Sequence, residues 1–312
     1  MAVHHLEPTQ GTVTQFFSRD TPPVLIVDPD DTLVVRTLDA GGYLERPAGT
    51  GSQTPQMFTG PRGHCLAGPI EVRGAAPGTV LGVQLISLRP GPWGWTRAGS
   101  SDSDLNHALR VAGETPVFLN WDLDPDGLVG VSDCGLATGL APFPGVIGMP
   151  PDAPGEHSTI PPRADGGGNI DCRELVAGST LYLPVTVPGA MLCIGDGHAA
   201  QGDGEVSGTA IECGMTSEIR LRLVPDPPLR TIHAITPSAK ITFGFSGNLN
   251  QAMTAALDAM VTWMTRLFEV DRRTALALAS VAVSLRVTQV VNQTWGVHAL
   301  LADGMLRRAD EM

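Results

Sequence analysis

The stretch Ala177-Gly-Ser-Thr-Leu-Tyr-Leu-Pro-Val-Thr-Val-Pro-Gly-Ala-Met-Leu-Cys-Ile194 decides the fold class. A Gly-Ser turn feeds an apolar run, Thr180–Val187; Pro188-Gly189 interrupts it, and Met191–Ile194 starts another. Short β-branched or aliphatic runs punctuated by Gly and Pro read as strands joined by tight turns. The same entry device recurs at Asp30-Asp-Thr-Leu-Val34 and Pro77-Gly-Thr-Val-Leu81. Further strands are expected at Val24–Val27, Leu33–Thr37, Val80–Leu88, Glu218–Val224 and Lys240–Phe245. The unequal spacing of the three turns excludes a solenoid.

Composition agrees. The 312 residues hold 37 Gly and 26 Pro, about a fifth of the chain where roughly 12% is usual. Neither residue occurs from Asn248 to Trp295, which makes that window the place for helices. Leu249, Met253, Leu257, Met260, Met264 and Leu267 step by three or four, as one helix face does. Asp271 is a candidate cap for a second helix through Ala275, Leu276, Ala279 and Val283. The expected architecture is mainly β (α+β): a β-sandwich or barrel-like core over 1–247, with a helical C-terminal section, 248–312, packed on it. Gly91 to Pro162 reads as long irregular pieces carrying Trp93, Trp95, Trp121 and Phe143, which suits functional loops or oligomer contacts.

Charge and motif content exclude several functions. The formal net charge is −12, and Lys240 is the only lysine, a poor basis for binding a polyanion such as nucleic acid. No Gly-Lys-Ser/Thr P-loop, Gly-x-Ser-x-Gly elbow or strand-linked Gly-x-Gly-x-x-Gly is present. Gly99-Ser100-Ser101 lacks the nearby lysine of a Ser-Ser-Lys amidase. Five scattered cysteines with no C-x-x-C spacing read as buried reduced thiols of a cytoplasmic protein. Met1–Gln15 has no apolar h-region and the longest apolar run, Leu276–Leu285, is too short for a membrane span, so neither a signal peptide nor a membrane partner is expected.

The chemistry concentrates in Gly195-Asp-Gly-His-Ala-Ala-Gln-Gly-Asp-Gly-Glu205. Asp196 and His198, two apart on an extended backbone, share a face. Glu205 is expected to return on the opposite arm of a glycine-rich hairpin. One imidazole with two or three carboxylates suits zinc, with calcium as the oxygen-rich alternative. Asn169 and Asp171, in Gly166-Gly-Gly-Asn-Ile-Asp171, again share a face; Asp171 is a candidate third ligand and Asn169 an amide to hold a substrate carbonyl. His64, just ahead of the strand-like Gly68-Pro-Ile-Glu-Val72, is a candidate to reach the site. His157 and His298 read as solvated or interface residues, and Cys172 and Cys193 as packing thiols.

The runs Gly167-Gly-Asn-Ile-Asp-Cys-Arg-Glu-Leu175, Gly178-Ser-Thr-Leu-Tyr-Leu-Pro-Val185, Gly195–Val206 and Gly208-Thr-Ala-Ile-Glu212 resemble the acetamidase/formamidase family. Pro142-Phe-Pro-Gly-Val-Ile-Gly148 and Gln289-Val-Val-Asn292 add to the resemblance, which extends over nearly the whole chain. Asp165-Gly-Gly-Gly168, where formamidases typically carry a basic residue or His, points to the acetamidase-like branch or to another relative within the family. The resemblance implies a β-rich, oligomeric hydrolase of short aliphatic amides that binds a divalent metal. On that reading Asp171, Asp196 and His198 hold the metal, and Glu205, with Glu212 in reserve, transfers protons. Asn169, Gln201 and His64 contact the substrate, and the protein is a homo-oligomer, a dimer or larger. The rival reading is a metal-stabilised β-rich binding module without catalysis, and spacing alone leaves open which carboxylate ligates and which moves protons.

Overall fold

A computed structural model of the chain describes residues 1–99 and 102–308, which leaves Ser100 and Ser101 of the Gly-Ser-Ser triplet outside the described residues. The architecture is mainly β and dominated by antiparallel pairing, as the turn-rich sequence predicts. The spine is a long pair, Val80–Ala98 against Glu212–Val224, bulged between Cys213 and Met215 and between Glu218 and Ile219. Thr32–Thr37 flanks it on one side, with Val3–Leu6 parallel beyond. Thr180–Pro184 flanks it on the other and leads through His233–Ile235 and Ala239–Ser246 to Trp295–Ala302 and Val283–Gln289.

A second group of strands lies over the first. Leu192–His198 is its centre, paired with Leu66–Val72 and with Phe143–Gly148, and the latter continues to Gly167–Asn169. One buried cluster fills the space between the layers, with Leu33, Leu81, Leu181 and Ile219 from the first and Ile70, Phe143, Ile147 and Leu192 from the second. The layers join where Gly197 and His198 pair with Cys213 and Glu212.

Gly91–Pro162 is less irregular than its sequence suggests. The strand expected to end at Leu88 continues to Ala98, through Pro90-Gly91-Pro92, because the bulge opposite Pro90 removes the ladder bond a proline cannot donate. Beyond it Val117–Asp124, Val129–Ser132 and Ala137–Gly139 form a meander. Four cysteines are buried and free; Cys134 is free but exposed, contrary to expectation.

The Gly- and Pro-free window holds two helices, Leu249–Phe268 and Arg272–Ala282, capped by Asn248 and Asp271. The helical pattern ends earlier than expected: Val283 opens a strand, and the β-branched residues of Val283–Gln289 pair with Trp295–Ala302. The long helix turns the middle of the anticipated stripe inward, Met260 and Met264 buried with Met253 and Leu257 packed beside them, but its buried face is shifted toward the alanines. Ala252, Ala256, Met260, Trp263 and Met264 are buried, whereas Leu249 and Leu267 of the anticipated stripe are exposed. The cause is close approach: a Cβ on Gly244 would lie 2.0 Å from the Ala252 carbonyl oxygen, and Thr242 Oγ1 donates to the Ala256 carbonyl at 2.7 Å. Only small residues permit that contact. Leu276 of the second helix is likewise exposed, with Ala275 and Ala279 inward. Among the described residues no helix is long and apolar enough to cross a membrane.

His233 fastens this helical layer to the sheet. Its buried ring stacks on Tyr182 at 4.6 Å and meets Trp263 edge-on at 5.2 Å. Two expectations follow from these contacts. Gly244→Ala forces helix and sheet apart and is expected to cost at least about 1–3 kcal/mol in chemical denaturation. Burial pushes the His233 imidazole down to about 4, so the unfolded chain takes up a proton near pH 6.5 that the folded chain refuses until pH 4. The contribution is intact above pH 6.5 and is lost as pH falls to 4; relative to His233→Phe, the wild type should lose roughly 2–3 kcal/mol across that window.

Candidate active site

The site lies where the two layers join, and the strand register assembles it. His198 stands opposite Glu212 on one side and Phe143 on the other, with the Phe143 ring edge-on at 5.0 Å. Asn169 is opposite Val146 on the neighbouring strand, which carries Asp171 in just beyond. Asp196 Oδ2 and Glu212 Oε2 each lie 3.4 Å from His198 Nε2, and Glu205 Oε1 is at 4.0 Å. Two triads share the imidazole: Asp171, His198 and Glu205, and Asp196, His198 and Glu212. All five side chains are buried.

The sequence placed Glu205 on the returning arm of a hairpin. Instead it sits in the loop between the strands, at φ 45°, and the returning arm delivers Glu212. Gly204, bridged to Gln289, fixes that loop. Asp171 and Asp196 also have positive φ, 53° and 58°. Three non-glycine residues in the left-handed region within one cluster amount to stored strain of the kind that accumulates at functional sites.

The polar atoms in the cluster divide into anchored and free. His198 Nδ1 bonds Gln201 Oε1 at 2.9 Å, and Gln201 Nε2 donates to the Asp171 carbonyl at 2.8 Å. Because the Gln201 oxygen can only accept, Nδ1 carries a proton, and Nε2 is the nitrogen that faces the carboxylates. Gln201 thus contacts His198 and the Asp171 backbone. Ala210 N–H donates to Glu212 Oε1, while Glu212 Oε2, Asp171 Oδ1, Asp196 Oδ1 and His198 Nε2 are buried without hydrogen-bond partners. Asn169 Nδ2 donates to the Ile160 carbonyl, which leaves its buried oxygen free. His64 is held by Thr159 and brings Nε2 to 3.8 Å from Asp196 Oδ2.

Electrostatics make the crowding explicit. Burial pushes Asp171 up to about 8, with the Asp196 charge adding to it. Burial likewise raises Glu205 well above the usual carboxylate range, Asp171 next to it contributing, and raises Glu212. Burial alone would raise Asp196 too, but the positive charges of His64 and His198 outweigh it and hold that carboxyl low. His198 is pulled the other way from its burial, upward, by Glu212 and Asp196. Such a set needs positive charge, as protons or as a cation.

A cavity of about 600 Å³ opens onto the cluster, lined by His64, Trp95, Asn169, Asp196, Glu205 and Glu212 among others. A larger cavity, about 1070 Å³, lies against the long helix and touches none of these residues.

With this geometry in place, comparison with known proteins is specific. The Acetamidase/Formamidase family pattern matches residues 5–155 and 152–301. The chain belongs to this family. It is 26% identical to a formamidase of Methylophilus methylotrophus over 267 residues, which covers 69% of the chain and 65% of that protein. It is 28% identical to an acetamidase of Mycolicibacterium smegmatis over 220 residues, 52% of the chain and 53% of the relative. The chain therefore spans between half and two thirds of the length of these curated relatives. The crystal structure of an acetamidase from Bacillus halodurans superposes with a TM-score of 0.85 at 26% identity, covering 96% of this chain and 97% of that one.

Three further residues of this family member bear on the site without having been assigned to it from the sequence. Asp39, in an ordinary-looking Asp-Ala-Gly-Gly turn, is fully buried and pushed up to about 7 by that burial, with the Glu212 charge adding. Asn292 Nδ2 donates to Asp171 Oδ2 at 3.4 Å; its place in Gln289–Asn292 was the available signal. Gly145 gives the cluster its room: a Cβ there would lie 2.6 Å from Asp196 Oδ2, 2.7 Å from His198 Cε1 and 2.8 Å from Asp171 Oδ1. Gly145→Ala is therefore expected to displace the His198 Cε1–H resonance in NMR spectra and to cost about 1–3 kcal/mol in stability. An unmoved resonance in a folded variant would contradict this placement.

Proposed function

We propose that this protein hydrolyses short aliphatic amides of the acetamide and formamide type, giving a carboxylate and ammonia. The observation that carries the reading is the buried set Asp171, Asp196, His198, Glu205 and Glu212, its free atoms converging beside an open cavity. Four unpartnered donor atoms of imidazole and carboxylate type fit a divalent cation, zinc or, with more oxygen ligands, calcium. Asp171, Asp196 and His198 would hold it, His198 being common to both triads and each Asp the donor from one, and it would supply Lewis-acid polarisation of the amide carbonyl and acidify water.

The chain's own groups account for the rest. Glu205 lines the cavity, and its raised pKa suits a group that takes a proton from water and returns it to the departing nitrogen as the C–O bond forms and the C–N bond breaks. Glu212, with Oε1 tied to the backbone and Oε2 free, is the second carboxylate able to move that proton. The free oxygen of Asn169 can accept from the substrate N–H, and its NH₂, with one hydrogen on the Ile160 carbonyl, keeps a second for the substrate carbonyl. Gln201 holds the His198 tautomer, an orienting role through another side chain. His64 borders the cavity and offers the substrate a polar contact at its entrance. The open cavity favours catalysis over a closed structural metal site. Buried free thiols and the exposed Leu276, Val281 and Leu285 support a cytoplasmic homo-oligomer.

His198→Ala is expected to lose bound divalent metal and ammonia release from acetamide or formamide together. Glu205→Gln should keep the metal and lose turnover by roughly 10²–10⁴. Metal analysis and an ammonia assay read both. Full activity in metal-free protein, or in His198→Ala, would overturn the mechanism; loss of metal in Glu205→Gln would make Glu205 a ligand and pass the proton work to Glu212.

A further inference from the structure

His298, expected at the surface from its place after the helices, is instead fully buried. The strand Trp295–Ala302 lies between Ala239–Ser246 and Val283–Gln289, and burial there follows from pairing on both edges. Its Nδ1 bonds the buried Thr288 Oγ1 at 2.8 Å. That contact fixes the ring and aims Nε2 at Glu174 Oε2, 3.4 Å away, yet Nε2 has no hydrogen-bond partner. Cys172 Sγ, also fully buried, lies 3.2 Å from the same Glu174 oxygen. Arg286 holds the other carboxylate oxygen at 2.7 Å and so commits Oε2 to face the sulfur and the imidazole.

We propose that Cys172, Glu174 and His298 form a second divalent-metal site of zinc type, separate from the Asp196–His198 cluster, that staples the C-terminal strands to the loop carrying Asp171. The donor set is the sulfur, imidazole nitrogen and carboxylate oxygen that zinc takes. The spacing fits as well. Donors about 2.0–2.3 Å from a tetrahedral ion stand about 3.3–3.6 Å apart, and the observed separations are 3.2 and 3.4 Å. All three donor atoms lie within 4.8 Å of one another.

Charge and protons balance. Binding is ligand exchange without redox: the Cys172 S–H proton leaves to solvent, and the thiolate and the Glu174 carboxylate supply two negative charges for the dication. Arg286 adds one positive charge, which Asp203, 3.8 Å from it, offsets. Thr288 is the outer partner that holds a ligating imidazole in its binding tautomer. Cys172 and His298 are fully buried and Glu174 is 15% exposed, so the fourth position of a tetrahedral ion would fall to a water reached past Glu174.

The test uses the full chain, stripped with chelator and reloaded with Co²⁺ as a spectroscopic stand-in for zinc. A near-ultraviolet thiolate-to-cobalt charge-transfer band is expected in wild type and in Asp196→Asn, which leaves the thiol site intact. Cys172→Ser should abolish it, and Thr288→Val should weaken cobalt binding at this site by about 10–100-fold. Should Cys172→Ser fail to fold, Glu174→Gln, which removes the bridging oxygen ligand, is expected to lose the band instead. No band in folded wild type, or a band that survives both substitutions, overturns the proposal. Because amidase activity plays no part in the readout, failure here is distinguishable from failure of the hydrolase reading.

Discussion

Four buried carboxylates around one imidazole cannot all be charged unless something positive joins them, and much of the fold can be read as a response to that constraint. In a protein interior an unpaired carboxylate is costly, and neighbouring carboxylates repel as well. Asp171, Glu205 and Glu212 are accordingly raised, while Asp196 stays low only beside His64 and His198. A scaffold holding such a set must be stiff enough to resist its spreading. The strands supply that stiffness, since His198, Glu212 and Asn169 are register-fixed positions in paired ladders. Left-handed backbone at Asp196 within its strand, and at Asp171 and Glu205 in the loops beyond theirs, aims the carboxylates inward.

Glycine has two separate uses here. Gly145 keeps the space beside the cluster free of side-chain carbon, so Asp196 and His198 from one neighbouring strand and Asp171 from beyond the other can converge there. Gly244 does the same for a helix and a sheet on the far side of the molecule. Both remove a Cβ from a close approach, one for chemistry and one for packing. Neither has a positive φ, so the demand is spatial rather than conformational.

What the sequence made legible is what local rules govern. The alternation and turn residues marked the strands, the absence of Gly and Pro marked the helices, and Asp271 was readable as a cap. Asp196 and His198 were legible as a pair because two-residue spacing on a strand puts them on one face. Glu205 was visible as a member of the cluster but misplaced, since a loop's path depends on contacts such as Gly204 with Gln289, 85 positions away in numbering. Gly145 and Asp39 were silent because their roles exist only after distant strands pair. The inward face of the long helix was read correctly at Met260 and Met264 but not at Leu249 and Leu267, because alanines facing Gly244 draw the buried face toward themselves.

His298 shows how the C-terminal section bears on the site. Its strand is part of the same ladder as Ala239–Ser246, and Val283–Gln289 beside it carries Thr288 and Gln289 toward the core. Through Gln289 it meets the Glu205 loop, and just beyond it Asn292 reaches Asp171. The chain that follows the helices therefore contacts the Asp171 carboxylate and the backbone beside Glu205. Cys172, next to Asp171, and His298, on the returning strand, face each other across Glu174 at the same junction. Any force that fixes this junction also limits how far Asp171 and Glu205 can move apart, which ties the order of the buried acids to the packing of the last strands.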